Sequence, residues 1–197
     1  MMVFITIISL LSGIFMGNQV LDEDIVSFLN NNSDYVMCLF MLLIGISIGS
    51  NKNVFKNLRK NCLIMFLIPV GIVSGSMLGG FICSLFIDIP LNKCMAVVSG
   101  LGWYTLSCTA VSDLAGVELG TVALISNLLR ELISFITIPV LSKYVNPYTA
   151  IAPAAATSED TSLPMLIKYT SEDIVLMAVF NGVVCSLLVP VLTQIFL

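Results

Sequence analysis

Two carboxylates in this chain fall where a carboxylate is expensive. Glu131 lies near the middle of an apolar stretch, Leu119 to Leu141, whose centre reads Ser126-Asn127-Leu128-Leu129-Arg130-Glu131-Leu132. Ionisable side chains at bilayer depth are costly to keep and tend to mark ion or substrate pathways. At helical spacing Asn127, Arg130, Glu131, Ser134 and Thr137 form one polar stripe on an otherwise apolar helix. A stripe of that kind must face protein or a water-filled cavity. Its chemistry would be to hold a cation or relay a proton through Glu131. The plainer alternative is that Arg130 and Glu131 pair with groups on neighbouring helices and hold a bundle together. They do not pair ideally with each other, because adjacent helical positions point about 100° apart.

The second carboxylate is Asp160, in Thr157-Ser158-Glu159-Asp160-Thr161-Ser162. Pro153 and three alanines precede this run and Leu163-Pro164 follows it. Small residues allow close backbone approach, and prolines disfavour one continuous helix. Interrupted backbone at membrane depth exposes N–H and C=O groups that can hold a carboxylate or a cation. Thr157, Ser158 and Thr161 add hydroxyls. The alternative is a solvated external loop. A third stretch, Ser99-Gly100-Leu101-Gly102-Trp103-Tyr104-Thr105-Leu106-Ser107, again combines glycines with hydroxyls. Trp103 or Tyr104 would line a cavity and pack on an ammonium group, or else anchor at the membrane interface. Asn181, beside Gly182, sits inside the last apolar run, where an amide serves to hydrogen-bond across helices.

The elements that carry these residues follow from composition. Of 197 residues, 58% are apolar and 10% charged, against about 25% charged in an ordinary soluble domain. The apolar residues come in runs long enough to span a membrane. We read spans at about Met2–Gly17, Tyr35–Gly49, Cys62–Phe86, Leu119–Leu141 and Ile174–Leu197. Lys93–Leu114 and Ala150–Met165 are small-residue segments that enter the membrane. The expected fold is an all-α integral membrane protein of about five to six transmembrane helices, with two interrupted or re-entrant segments. It forms one transport domain over residues 1–197, with two N-terminal spans and a basic loop in 1–61 and a transport core in 62–197. Lys52, Lys56, Arg59 and Lys60 are half of the eight Lys and Arg in the chain. Their loop is therefore cytoplasmic by the positive-inside rule, and so is the N-terminus. If Ala150–Met165 crosses fully, the C-terminus is external, and if it is re-entrant, internal.

The function classes narrow in the same way. No histidine is present, so His-based triads and H-E-x-x-H zinc sites are excluded. There is no P-loop, dinucleotide-binding glycine pattern or G-x-S-x-G. An aspartyl intramembrane protease has no motif in its favour. No basic patch points to nucleic acid, and no cofactor or metal motif appears. The six cysteines, Cys38, Cys62, Cys83, Cys94, Cys108 and Cys185, lack C-x-x-C spacing and read as buried, quiet thiols. We read a membrane transport subunit rather than an enzyme.

At these residues the chain resembles the LysO family of lysine exporters. Four stretches carry the resemblance in order: S-G-L-G-W-Y-T-L-S at Ser99–Ser107, N-L-L-R-E-L at Asn127–Leu132, A-T-S-E-D-T-S-L-P at Ala156–Pro164, and N-G-V-V-C-S-L-L-V-P at Asn181–Pro190. The resemblance implies a prokaryotic inner-membrane exporter of L-lysine and of analogues such as thialysine, with the two intramembrane acids at Glu131 and Asp160. Proton antiport would follow from competition between protons and ammonium groups for those acids. Asn127, Arg130, Gly100, Gly102, Trp103, Tyr104, Ser107, Thr157, Ser158, Thr161 and Asn181 would support substrate binding. Many family members carry an extra N-terminal membrane part, so the partner would be a separately encoded small membrane subunit or a second copy. Glu159 and Asn181 depart from the family pattern, where methionine and histidine are expected. The alternatives are a non-transporting scaffold subunit of a two-component transporter and an exporter of another cationic amino acid.

Overall fold

The computed structural model describes residues 62–197 without interruption, together with scattered positions between residues 8 and 46. Two compact units are distinguished, Met1–Asn51 and Lys52–Leu197. In the first, the described positions are almost all helical, and the Asn32 side chain donates to the Phe28 carbonyl at 2.7 Å. The two N-terminal spans fall largely, and the basic loop 51–61 entirely, outside the described residues.

The second unit is built on three long helices, α1 (Cys62–Ser84), α4 (Val117–Tyr144) and α6 (Glu172–Phe196). At 23, 28 and 25 residues, each is long and apolar enough to cross a membrane. Their outer faces expose large apolar side chains, among them Phe66 and Leu78 on α1, Ile133 and Ile136 on α4, and Leu187 and Ile195 on α6. Water would penalise that surface, whereas hydrocarbon solvates it. The chain is an all-helical membrane protein.

Two broken segments lie between these spans. The first is α2 (Leu91–Val98), a break at 99–103, and α3 (Tyr104–Ala115). Ile89, just before α2, and Ala115, at the end of α3, pack against one cluster of Val97, Val111, Leu119 and Ala123. The segment therefore begins and ends at the same end of the bundle. It is a re-entrant hairpin: at 1.5 Å per residue, α2 reaches only about 12 Å inward before the chain turns back. The second segment joins two 3₁₀ turns, Thr149–Ile151 and Ala155–Glu159, to the short helix α5 (Leu163–Tyr169). The Ser142 hydroxyl in the last turn of α4 donates to the Tyr169 carbonyl at the end of α5. This segment thus starts and finishes at the opposite end of α4, a second hairpin entering from the other face. Helix α6 then runs back, and Leu197 packs against the first cluster. The small-residue segments expected at 93–114 and 150–165 are both interrupted, and both re-enter. With two re-entries rather than one, the two ends of the 62–197 unit lie on opposite faces.

The cysteines among the described residues are free thiols. Cys94 and Cys185 are buried as expected, but Cys62 and Cys83 are exposed, on faces that lipid would cover.

This topology predicts sidedness. In a cysteine-free background, Asp88→Cys and Glu118→Cys should both be labelled by an impermeant maleimide from one face of the membrane. Val145→Cys and Ser171→Cys should both be labelled from the other. Labelling of positions 88 and 118 from opposite faces would show a crossing segment instead.

Candidate functional site

The two hairpin tips meet: the Ala156 N–H donates to the Leu101 carbonyl at 3.0 Å. At each tip one non-glycine residue takes the left-handed conformation, Leu101 at φ 48° and Ala155 at φ 49°. Such backbone costs about 1–3 kcal/mol per residue and persists only where the surroundings hold it. Here an asparagine holds each tip. Asn127 on α4 accepts from the Gly102 N–H at 2.8 Å and donates to the Val97 carbonyl at 3.1 Å and the Ser107 hydroxyl at 3.2 Å. Asn181 on α6 donates to the Ala155 carbonyl and the Ser158 hydroxyl, both at 3.0 Å. Each asparagine follows its left-handed residue at the same spacing along the chain, so the two halves are built alike and enter from opposite faces.

Arg130 serves the second tip as well. Its guanidinium donates to the carbonyls of Pro153 at 3.3 Å and Ala152 at 3.4 Å, and to the Ser76 hydroxyl on α1 at 2.8 Å. A cation placed on carbonyls at the end of a helical turn opposes their partial negative charge. Gly100 is required at the first tip, because a Cβ there would lie 2.5 Å from both the Asn127 amide nitrogen and the Ser107 hydroxyl.

A cavity of about 190 Å³ opens beside the joined tips. One wall is the first hairpin, from Gly102 through Trp103, Tyr104 and Thr105. The other is the second hairpin, from Ala156 and Thr157 through Glu159, Asp160 and Thr161, with Ser186 of α6 beside it. The N-terminus of α3 has no side-chain cap; the Trp103 and Tyr104 N–H groups donate to the Gly100 and Gly102 carbonyls, and the helix end beyond them presents partial positive charge at one wall. The opposite wall carries two acidic residues, and among the described residues no Lys or Arg lines the cavity. Glu131 is 7% exposed, on the buried face of α4 with Asn127 and Ser134. The Thr161 hydroxyl donates to Asp160 at 3.2 Å, and Glu131 lies close to both residues. Tyr104 lies within electrostatic range of both acids. Below them a hydroxyl chain joins Ser134 to Ser162 at 3.0 Å and Ser162 to Thr157 at 2.9 Å.

The residues singled out in the sequence therefore divide. Gly102, Trp103, Tyr104, Thr157, Asp160 and Thr161 line the cavity, and Glu131 stands behind Thr161. Gly100, Ser107, Asn127, Arg130, Ser158 and Asn181 do not line it. Their polar atoms are taken up by the interrupted backbone, by each other and by neighbouring helices, as Arg130 by Ser76 and Ser158 by the Ala178 carbonyl, so they hold the hairpin tips in place. Thr137 turns its hydroxyl back to the Ile133 carbonyl at 2.9 Å. The sequence reading named Thr105 and Glu159 without placing them among the site residues, and left out Ser186. For Ser186 a signal existed: it follows Gly182 by one helical turn and so shares its face.

The family model described as "Lysine exporter LysO" matches residues 7–197. The chain belongs to the LysO family of lysine exporters. It is similar to the protein named "Lysine exporter LysO" of Escherichia coli, at 36% identity over 164 residues, covering 83% of this chain and 54% of that protein. It is also similar to the "Putative lysine exporter" of Haemophilus influenzae, at 31% identity over 191 residues, covering 95% of this chain and 96% of that protein. The chain thus spans about half the length of the Escherichia coli relative and nearly all of the Haemophilus influenzae one. No solved structure matches.

If Asn127 holds the first tip, Asn127→Leu leaves the buried Gly102 N–H unpaired and takes one of two donors from the Val97 carbonyl. It should cost about 1–3 kcal/mol and lower the melting temperature of the purified protein in detergent. An unchanged melting temperature would remove Asn127 from that role.

Proposed function

We propose that this chain is a secondary transporter subunit that exports L-lysine across the prokaryotic inner membrane in exchange for protons. One observation carries the reading: a cavity at the meeting point of two opposed hairpins, with an uncapped helix N-terminus on one wall, carboxyls on the other and no lining cation. That pattern is the negative of a cationic amino acid. Lysine at neutral pH carries two ammonium groups and one carboxylate. The carboxylate suits the first amides of α3. The ammonium groups suit Asp160 and the acids near it, with the Trp103 and Tyr104 rings beside them. Family membership and the names of the two relatives agree with lysine as the cargo. Analogues with the same charges, such as thialysine, would fit equally.

Coupling follows from competition. Asp160 and Glu131 lie near one another, so a proton taken by either removes charge that the ammonium group needs. Protons arriving from outside would release lysine outward. The empty site, returned inward, would lose its proton and bind again. The hairpins enter from opposite faces, so each tip shields the cavity from one side. The basic loop 51–61 supports a cytoplasmic N-terminus. A small separately encoded membrane subunit or a second copy of the chain is the partner in this reading.

Cells expressing the chain and loaded with a lysine dipeptide should release lysine into the medium. Glu131→Gln and Asp160→Asn should each reduce that efflux at least about tenfold, with equal amounts of inserted protein, which corresponds to about 1.4 kcal/mol. Wild-type efflux should accelerate when the outside is made acidic. Undiminished efflux from either variant would overturn the mechanism. Loss of partner binding together with efflux would instead indicate a scaffold role.

A further inference from the structure

We propose that Glu159, held by Ser186 and Gly182, forms a second cation subsite that reads the side-chain ammonium of a dibasic substrate. The proposal rests on the reading of the cavity as an amino-acid site, and adds how that site would tell lysine from a neutral amino acid of the same shape.

Three features of the fold place Glu159 in that role. First, its carboxyl lines the same cavity as Asp160, but from the preceding backbone position, so the two acids present separate points of negative charge. Second, its position is built. Helix α6 comes so close that a Cβ at Gly182 would lie 2.5 Å from the Glu159 Cβ and 2.7 Å from its backbone nitrogen. Only glycine allows that approach, and it carries the Glu159 side chain along α6 to Ser186, one turn on. There the Ser186 hydroxyl donates to Oε1 at 2.7 Å. Third, the carboxylate remains under-satisfied. It has about four acceptor positions, Ser186 donates to one, and among the described residues no Lys or Arg lines the cavity. A half-buried carboxylate in that state is suited to a mobile cation rather than to a fixed partner.

The substrate's three charges then divide. The α-carboxylate lies at the α3 N-terminus, the α-ammonium at Asp160, and the distal ammonium at Glu159. Asp160 alone would serve any amino acid, whereas Glu159 would select one with a second positive charge.

Norleucine tests this directly, because it keeps the lysine skeleton and lacks only the distal ammonium. Calorimetric titration of the purified full chain in detergent would measure both ligands. The wild type should bind lysine at least about tenfold more tightly than norleucine, one charge-assisted hydrogen bond's worth. Glu159→Gln should bring lysine down to the norleucine level and leave norleucine within about twofold. Ser186→Ala, which keeps the carboxyl but frees it, should move the ratio in the same direction by less, and serves if Glu159→Gln does not fold. A lysine-to-norleucine ratio unchanged in both variants would overturn the proposal, as would an equal loss of both ligands. Failure of the wild type to bind either ligand would instead overturn the reading of the cavity itself. Tight wild-type binding of both without discrimination would remove only the second subsite.

Discussion

Backbone polar groups cannot stand open in the middle of a hydrocarbon layer, and two places in this chain stop being helix there. Each unpaired N–H or C=O at that depth costs several kcal/mol. The remainder of the unit is arranged to prevent it. The tips satisfy one another through the Ala156 N–H and the Leu101 carbonyl. Asn127 takes up the first tip, and Asn181 and Arg130 take up the second. These residues come from α4 and α6, so two of the spanning helices act as walls that carry the caps at the right depth. The small residues at both breaks follow from the same need, since bulky side chains would keep the capping groups away.

This arrangement also gives the cavity its polarity. Ending α3 at mid-depth leaves an uncapped positive end there, and ending the second hairpin's inward turn at Glu159 brings two carboxyls to face it. A continuous helix would offer neither. The strain at Leu101 and Ala155 is thus the local cost of placing charge-complementary groups where lipid would otherwise exclude them. Both hairpins share that design, so the cavity has one wall entering from each side of the membrane.

Much of the fold was legible from hydropathy and small-residue clustering. The span read at Leu119–Leu141 is the core of Val117–Tyr144, and the one read at Ile174–Leu197 matches Glu172–Phe196 closely. The breaks stood out because glycine, alanine, proline and hydroxyls gather there. Re-entry was legible as one of two options, since both small-residue segments were expected to be interrupted or re-entrant. But hydropathy does not sense a chain reversal, and the left-handed residues at the two tips, Leu101 and Ala155, carry no turn signal of their own. Within the site, Glu131 and Asp160 were conspicuous as charges in apolar surroundings. Asn127 and Asn181 were visible as polar, but an amide that caps backbone and one that binds a ligand look the same in a sequence. The place of Glu159 depends on the approach of α6 at Gly182, a tertiary contact without a local sign.

The central claim is that the cavity between the joined tips holds the transported cation and that Asp160 is one of its charges. Radiolabelled L-lysine counterflow into proteoliposomes of the purified chain measures this most directly. The account predicts counterflow by the wild type, lost in Asp160→Asn protein of unchanged melting temperature. Undiminished counterflow by Asp160→Asn would contradict it and place the substrate elsewhere in the molecule.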